Sequence, residues 1–140
     1  MSMSGGCLCG AVRYEITGEP KWVGKCYCRD CQRESGTGHN DIVGVAAEDF
    51  RLIQSEPNSY ASIGGSGAEV VRYFCGTCGA PLYGFPKLMG KNYMVRAGSL
   101  DDASNIKMTM AIFTSHAQPW DLPPQGLMCF PEAPPAPTKT

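Results

Sequence analysis

The sequence predicts a mainly β domain with little helix, and three observations carry that reading. Short segments in which apolar and polar residues alternate recur along the chain. Gly, Pro, Asn and Asp clusters punctuate them, as at Ile63-Gly64-Gly65-Ser66-Gly67 and Phe85-Pro86. Seven of the eight cysteines fall in three tight groups, Cys7 and Cys9, then Cys26, Cys28 and Cys31, then Cys75 and Cys78.

The first strand is the clearest. From Ala11 to Thr17, Val12, Tyr14 and Ile16 share one face while Arg13, Glu15 and Thr17 share the other. Further short strands are expected at Asp41–Ala46, Phe50–Gln54, Ser59–Ile63, Glu69–Phe74, Pro81–Phe85, Asn92–Ala97 and Lys107–Thr114. The one helix expected is Arg29–Ser35, stopped by Gly36, with a short turn at Leu100–Ser104. A helix starting there would point its positive end at the thiolates around Cys28–Cys31 and lower their pKa. From Pro119 onward the chain carries seven of its eleven prolines. The domain is accordingly expected over residues 1–128, with 129–140 a Pro-rich tail whose end, PEAPPAPTKT, is expected to be mobile.

At 140 residues a single domain buries enough surface to fold without staples. The formal charge is −1 and no run of Lys or Arg exists to follow a phosphate backbone, which argues against a nucleic-acid partner. No apolar stretch approaches the length of a membrane span, and MSMSGG lacks the features of a signal peptide. The expected location is cytoplasmic, where thiols stay reduced, so the cysteines favour metal over disulfides.

The spacings fit that chemistry. In GGCLCG and YFCGTCGAPLY, glycines flank each cysteine pair and permit the tight turns that converge two thiolates on one ion. Zinc takes four such ligands tetrahedrally at about 2.3 Å. Cys7, Cys9, Cys75 and Cys78 fill one closed site, and the sheets are expected to be short, twisted and antiparallel around these zinc knuckles. Cys26, Cys28 and Cys31 are left with three ligands, and an open fourth position is where chemistry occurs. Closure by Cys129, His39 or His116 is the alternative for that second site. His39 reads otherwise as a loop residue and His116 as an ordinary polar one. Tyr27, between two cysteines, projects away from the sulfurs if extended and is expected to pack, with its hydroxyl lining the open position as the alternative. Arg29 and Arg33, one helical turn apart, could face the site together and suit a substrate with carboxylates.

GGCLCGAVRYEITG, CYCRDCQRESG, YFCGTCGAPLY and AGSLDD together resemble the glutathione-dependent formaldehyde-activating enzyme (GFA) family, from residue 5 to about 128. The same domain is shared by centromere protein V, which is not described mainly as an enzyme. The resemblance implies a mostly β fold, a structural zinc on Cys7, Cys9, Cys75 and Cys78, and a catalytic zinc on Cys26, Cys28 and Cys31. Two ions are expected, with the second site open to partial loading. The resemblance also implies addition of a small aldehyde to a thiol such as glutathione, or the reverse carbon–sulfur lyase reaction. A non-catalytic glutathione carrier or a zinc-stabilised interaction module is the alternative, and a redox protein using the middle cysteines a third reading. This chain departs from the family at Tyr27, where a histidine is usual, and at Ala111-Ile112-Phe113, where the family often places a His before an Ile/Val-Phe/Trp pair.

Overall fold

The computed structural model describes residues 2–134. Among the described residues, eleven strands form two sheets. The smaller holds β1 (Ser2–Gly6), β2 (Arg13–Thr17) and β5 (Phe50–Gln54), in the order β1-β2-β5. The larger is built from β3 (Trp22–Cys26), β4 (Asn40–Ala46), β6 (Asn58–Ile63), β7 (Glu69–Phe74), β8 (Pro81–Pro86), β9 (Asn92–Arg96), β10 (Met110–Ile112) and β11 (Met128–Cys129). Its order is β11-β10-β3-β4-β9-β8-β7-β6. All pairings are antiparallel except two: β10 runs parallel to both β3 and β11, so the larger sheet is mixed. The α-helix is α1, Arg29–Ser35, as the sequence predicts, and Gly36 ends it at φ 76°, a left-handed backbone that a side chain would strain.

Alternation along β4 splits the interior in two. Val43 and Val45 face the main core with Tyr14, Ile16, Leu82 and Val95, while Ile42 faces a second cluster with Met94, Ile112, Cys26 and Cys31. The main core lies between the sheets and is rich in aromatic rings. Phe50 of β5 reaches across to Tyr83 and Tyr93, with centroids at 4.6 and 5.0 Å, and stacks on Tyr14 at 5.1 Å. Such pairs add about 0.5–1.5 kcal/mol each beyond the area they bury.

Burial holds the Tyr14 phenol up to about 12 despite its hydrogen bond to Ser99, and pushes Tyr83 up as well. A group whose folded pKa is raised contributes stability that is whole below its unfolded value, here 10.0, and is lost as pH climbs towards the folded one. Alkaline unfolding is therefore expected to begin above about pH 10 and to coincide with the rise in tyrosinate absorbance. Smooth tyrosine ionisation near 10 with unchanged circular dichroism would show that these phenols are not held dry.

Four expectations need correction. Gly5 and Gly6 lie inside β1 rather than on a turn. A Cβ on Gly5 would collide with the Tyr14 hydroxyl and the Ser99 carbonyl, so that glycine is a matter of space. The strand expected at Lys107–Thr114 shrinks to Met110–Ile112, and the turn expected at Leu100–Ser104 is a 3-10 turn at Ala97–Ser99. The domain also continues past 128. Met128–Cys129 pairs with β10, and the carbonyls of Phe130, Pro131 and Glu132 accept the amides of Thr114, Ser115 and Phe113. Those backbone bonds outweigh the weak apolar pattern of the segment. The rest of the expected tail, 135–140, lies outside the described residues. Among those described, no helix is long and apolar enough to cross a membrane.

Candidate metal centres

Two turns that are distant in sequence meet at the first centre. One joins β1 to β2, where the Cys7 amide bonds the Val12 carbonyl and Gly10 takes φ 84°. The other joins β7 to β8, where the Cys75 amide bonds Ala80 and Gly79 takes φ 78°. The sulfurs of Cys7, Cys9, Cys75 and Cys78 all lie within 4.8 Å of one another. Cys7 and Cys9 are 3.6 Å apart and Cys9 and Cys75 3.8 Å. Four sulfurs at 2.3 Å from a tetrahedral zinc would stand about 3.8 Å apart, so the set fits that ion.

Backbone amides already serve these sulfurs. Val12 donates to Cys7 at 3.2 Å, and Thr77 and Cys78 donate to Cys75 at 3.3 and 3.4 Å. The Ala80 and Cys9 amides pull the Cys78 thiol down to about 6. At Cys9 the Ala11 amide favours the thiolate, but the sulfurs of Cys7, Cys75 and Cys78 outweigh it and push the thiol up to about 11. Charge crowding of this kind is what a dication relieves.

The second centre is local. Cys26 ends β3, Cys28 caps α1 in extended conformation, and Cys31 lies in the first turn of the helix. Their sulfurs also lie within 4.8 Å of one another. Cys26 and Cys31 are buried, Cys28 partly so. Hydrogen bonds from Cys26 and Cys31 hold Cys28 down to about 3, with help from the Cys31 amide and the Arg72 charge. The same interaction pushes Cys26 up.

Among the described residues, no fourth His, Cys, Asp or Glu joins this trio. Cys129 is exposed on edge strand β11, with its sulfur near the Leu127 carbonyl. His39 is held between Asp121 at 2.6 Å and Asp41 at 3.2 Å. Tyr27 is fully buried with its ring 5.2 Å from that of His39, the packing role expected of it. His116 lines a cavity of about 350 Å³ that also touches Cys28, Arg29 and Phe113.

Arg29 and Arg33 do not face the site together. Arg29 bonds Gln32 and borders the Cys28 cavity, whereas Arg33 borders a neighbouring cavity with Arg72 and Tyr60. The cations whose charge reaches the thiolates are Arg72 of β7 and Arg96 of β9. Both converge on Glu34 of α1: Arg96 Nη2 is 2.7 Å and Arg72 Nη1 3.8 Å from Oε1, and Asn40 donates at 2.7 Å. These residues escaped the sequence reading. The signal was available, since a lone Arg inside the apolar strand segments EVVRYF and NYMVR must find a buried partner.

Glu34→Gln should therefore destabilise by about 3 kcal/mol, because it takes the countercharge from the buried Arg96 guanidinium and from the partly buried Arg72 beside it. Denaturant titration checks this, and a loss under 1 kcal/mol would mean that water compensates them.

The family model described as glutathione-dependent formaldehyde-activating enzyme matches residues 2–116. A Halomonas elongata protein named "Putative glutathione-dependent formaldehyde-activating enzyme" is 30% identical over 95 aligned residues, covering 61% of this chain and 57% of the relative. The chain thus spans little more than half the length of that curated relative. A crystal structure of a Rhodobacter sphaeroides protein superposes with a TM-score of 0.57 at 21% identity, covering 91% of this chain and 99% of the other. At that identity the likeness concerns the fold alone.

Proposed function

The chain belongs to the glutathione-dependent formaldehyde-activating enzyme family, and from that premise we propose that it is a zinc-dependent carbon–sulfur lyase and synthase. Its substrate would be a thiol–aldehyde adduct of the S-hydroxymethylglutathione type. The observation that carries this reading is the trio Cys26, Cys28 and Cys31, which has no fourth protein ligand among the described residues and whose Cys28 opens onto a cavity. Cys7, Cys9, Cys75 and Cys78 would hold a structural zinc, and the trio a second one. Held by these three thiolates, zinc would supply an open position that suits a fourth sulfur and would favour its thiolate form.

The chain's own residues contribute the rest. Arg72 and Arg96 offset the negative charge that accumulates when a further thiolate joins three others. The cavity, about 350 Å³ in volume, has room for a small carbonyl compound beside Cys28. The Arg29 and Asp30 side chains at its wall offer opposite charges to the ends of a zwitterionic peptide thiol such as glutathione.

Two measurements test the reading. Cobalt-substituted protein titrated with glutathione should show stronger sulfur-to-cobalt charge-transfer absorption, and Arg72→Ala should weaken that binding by about tenfold. Exchange between formaldehyde, glutathione and their adduct, followed by NMR at equilibrium, should be accelerated by the zinc-loaded protein. Binding without acceleration would leave a glutathione carrier. An unchanged cobalt spectrum at millimolar glutathione would remove the physical basis of the reading.

A further inference from the structure

The segment after β10 is held in an unusual way. Phe113, an aromatic residue, sits at φ 54° and ψ 38°, a left-handed conformation costing roughly 1–2 kcal/mol. It starts the 3-10 turn Thr114–His116. Strain of this kind persists only where surrounding contacts over-determine it. Here they are explicit. The Thr114 and Ser115 amides bond the carbonyls of Phe130 and Pro131. Gln32, only 5% exposed, donates from Nε2 both to the Tyr27 carbonyl at 2.8 Å and to the His116 carbonyl at 3.0 Å. One buried amide thus ties the cysteine loop to the turn that carries His116.

The imidazole itself is directed. Its Nε2 lies 3.2 Å from Oε2 of Glu132, which the Ser115 hydroxyl also contacts at 3.2 Å, and its ring lies 5.9 Å from that of Phe113. A carboxylate only accepts, so this contact calls for the hydrogen on Nε2, and in the neutral ring that leaves Nδ1 as the acceptor. His116 and Glu132 line the same cavity as Cys28, with Arg29 and Asp30 from α1 as the other charged groups on its wall. The His116 side chain is 40% exposed, so a substrate can reach it.

We propose that His116 carries the proton in the thiol–aldehyde reaction, with Glu132 and Gln32 as positioning residues. This inference rests on the function proposed above. In the forward direction Nδ1 takes the proton that the thiol gives up on joining the trio, and the thiolate electron pair then forms the bond to the carbonyl carbon. The π pair of the carbonyl moves to oxygen, and the proton passes from Nδ1 to that oxygen, giving the hemithioacetal. The reverse sequence cleaves the carbon–sulfur bond. Atoms and charge balance without an oxidant, a reductant or a further reactant. A proton donor is needed at this place, because the alkoxide formed on addition expels the thiolate again unless it is protonated.

The experiment measures NMR exchange with glutathione and formaldehyde on metal-loaded protein. His116→Gln keeps a hydrogen bond towards Glu132 but cannot shuttle a proton. It should lower kcat about a hundredfold, leave KM within about twofold, and leave metal content unchanged. Added imidazole should restore part of the rate in His116→Ala, where the ring has left space. Glu132→Gln should cost about tenfold in kcat. An unchanged kcat, a loss confined to KM, or a lowered kcat that imidazole does not restore would each overturn the assignment. A wild-type protein that accelerates nothing would overturn the proposed function together with it, whereas acceleration equal in wild type and His116→Gln would overturn this inference alone.

Discussion

Cys75→Ser is expected to remove the metal of the first centre and to destabilise the whole fold by several kcal/mol. Cys75 is 1% exposed and belongs to the main core. Its partners Cys7 and Cys9 lie on the turn of the smaller sheet, so the centre joins one sheet to the other. Cutting that link acts on both packing layers at once. Structural zinc contributes on the order of 10–16 kcal/mol to small domains, comparable with the ~5–15 kcal/mol net stability of a whole domain. A variant with three sulfurs and a buried hydroxyl should lose about 5 kcal/mol or more of this. Thermal unfolding by circular dichroism, with metal analysis of the same sample, checks the expectation, and a strong chelator should act on the wild type in the same direction. Cys129→Ser is the control: exposed at the sheet edge and outside both clusters, it should move stability by less than about 0.5 kcal/mol. Equal melting and equal metal content in wild type and Cys75→Ser would strip the first centre of its structural role.

Cys28→Ser should behave in the opposite manner, abolishing substrate conversion while the β fold survives. The second trio spans six residues of one segment, from the end of β3 to the first turn of α1, and closes no long loop. The helix keeps its other anchors, since Glu34 still pairs with Arg96 and Gln32 still bonds Tyr27 and His116. What disappears is the sulfur with the strongest thiolate character of the three, held down to about 3 by its neighbours. Metal affinity at the second site should fall by at least ~100-fold, since loss of a ligand costs no less than loss of the partners that orient one. Cys28 caps α1 by accepting the Cys31 amide, and a serine hydroxyl is a favoured acceptor at that position, so the helix start is kept. Loss of the β signal in this variant would reveal the middle site as structural.

The strands with regular alternation were legible because each buries one face. β2 shows this in Tyr14 and Ile16, which the sequence pattern already placed inward and which are almost fully buried. β1 and β3 were not legible. Ser2–Gly6 has little strand propensity and is held by its full register against β2, and Trp22–Cys26 is interrupted by Gly24. β11 follows a proline-rich stretch and becomes a strand only because the chain returns parallel to β10. In each case the partner supplies what the local sequence lacks.

The same division runs through the candidate sites. Cysteine spacing by itself determined which sulfurs group together, because two thiolates on a tight turn are neighbours whatever the rest of the chain does. It also determined that three remain after one four-sulfur set is complete. Only the tertiary structure decided the surroundings of that trio. Arg72, Arg96 and His116 come from strands and a turn far along the chain, and Cys129 and His39 are drawn away into other contacts. The physical reason is range. Ligand grouping within a turn is a local backbone property, whereas a countercharge or a proton carrier is set by which distant strands pair, and pairing depends on the packing of the whole sheet.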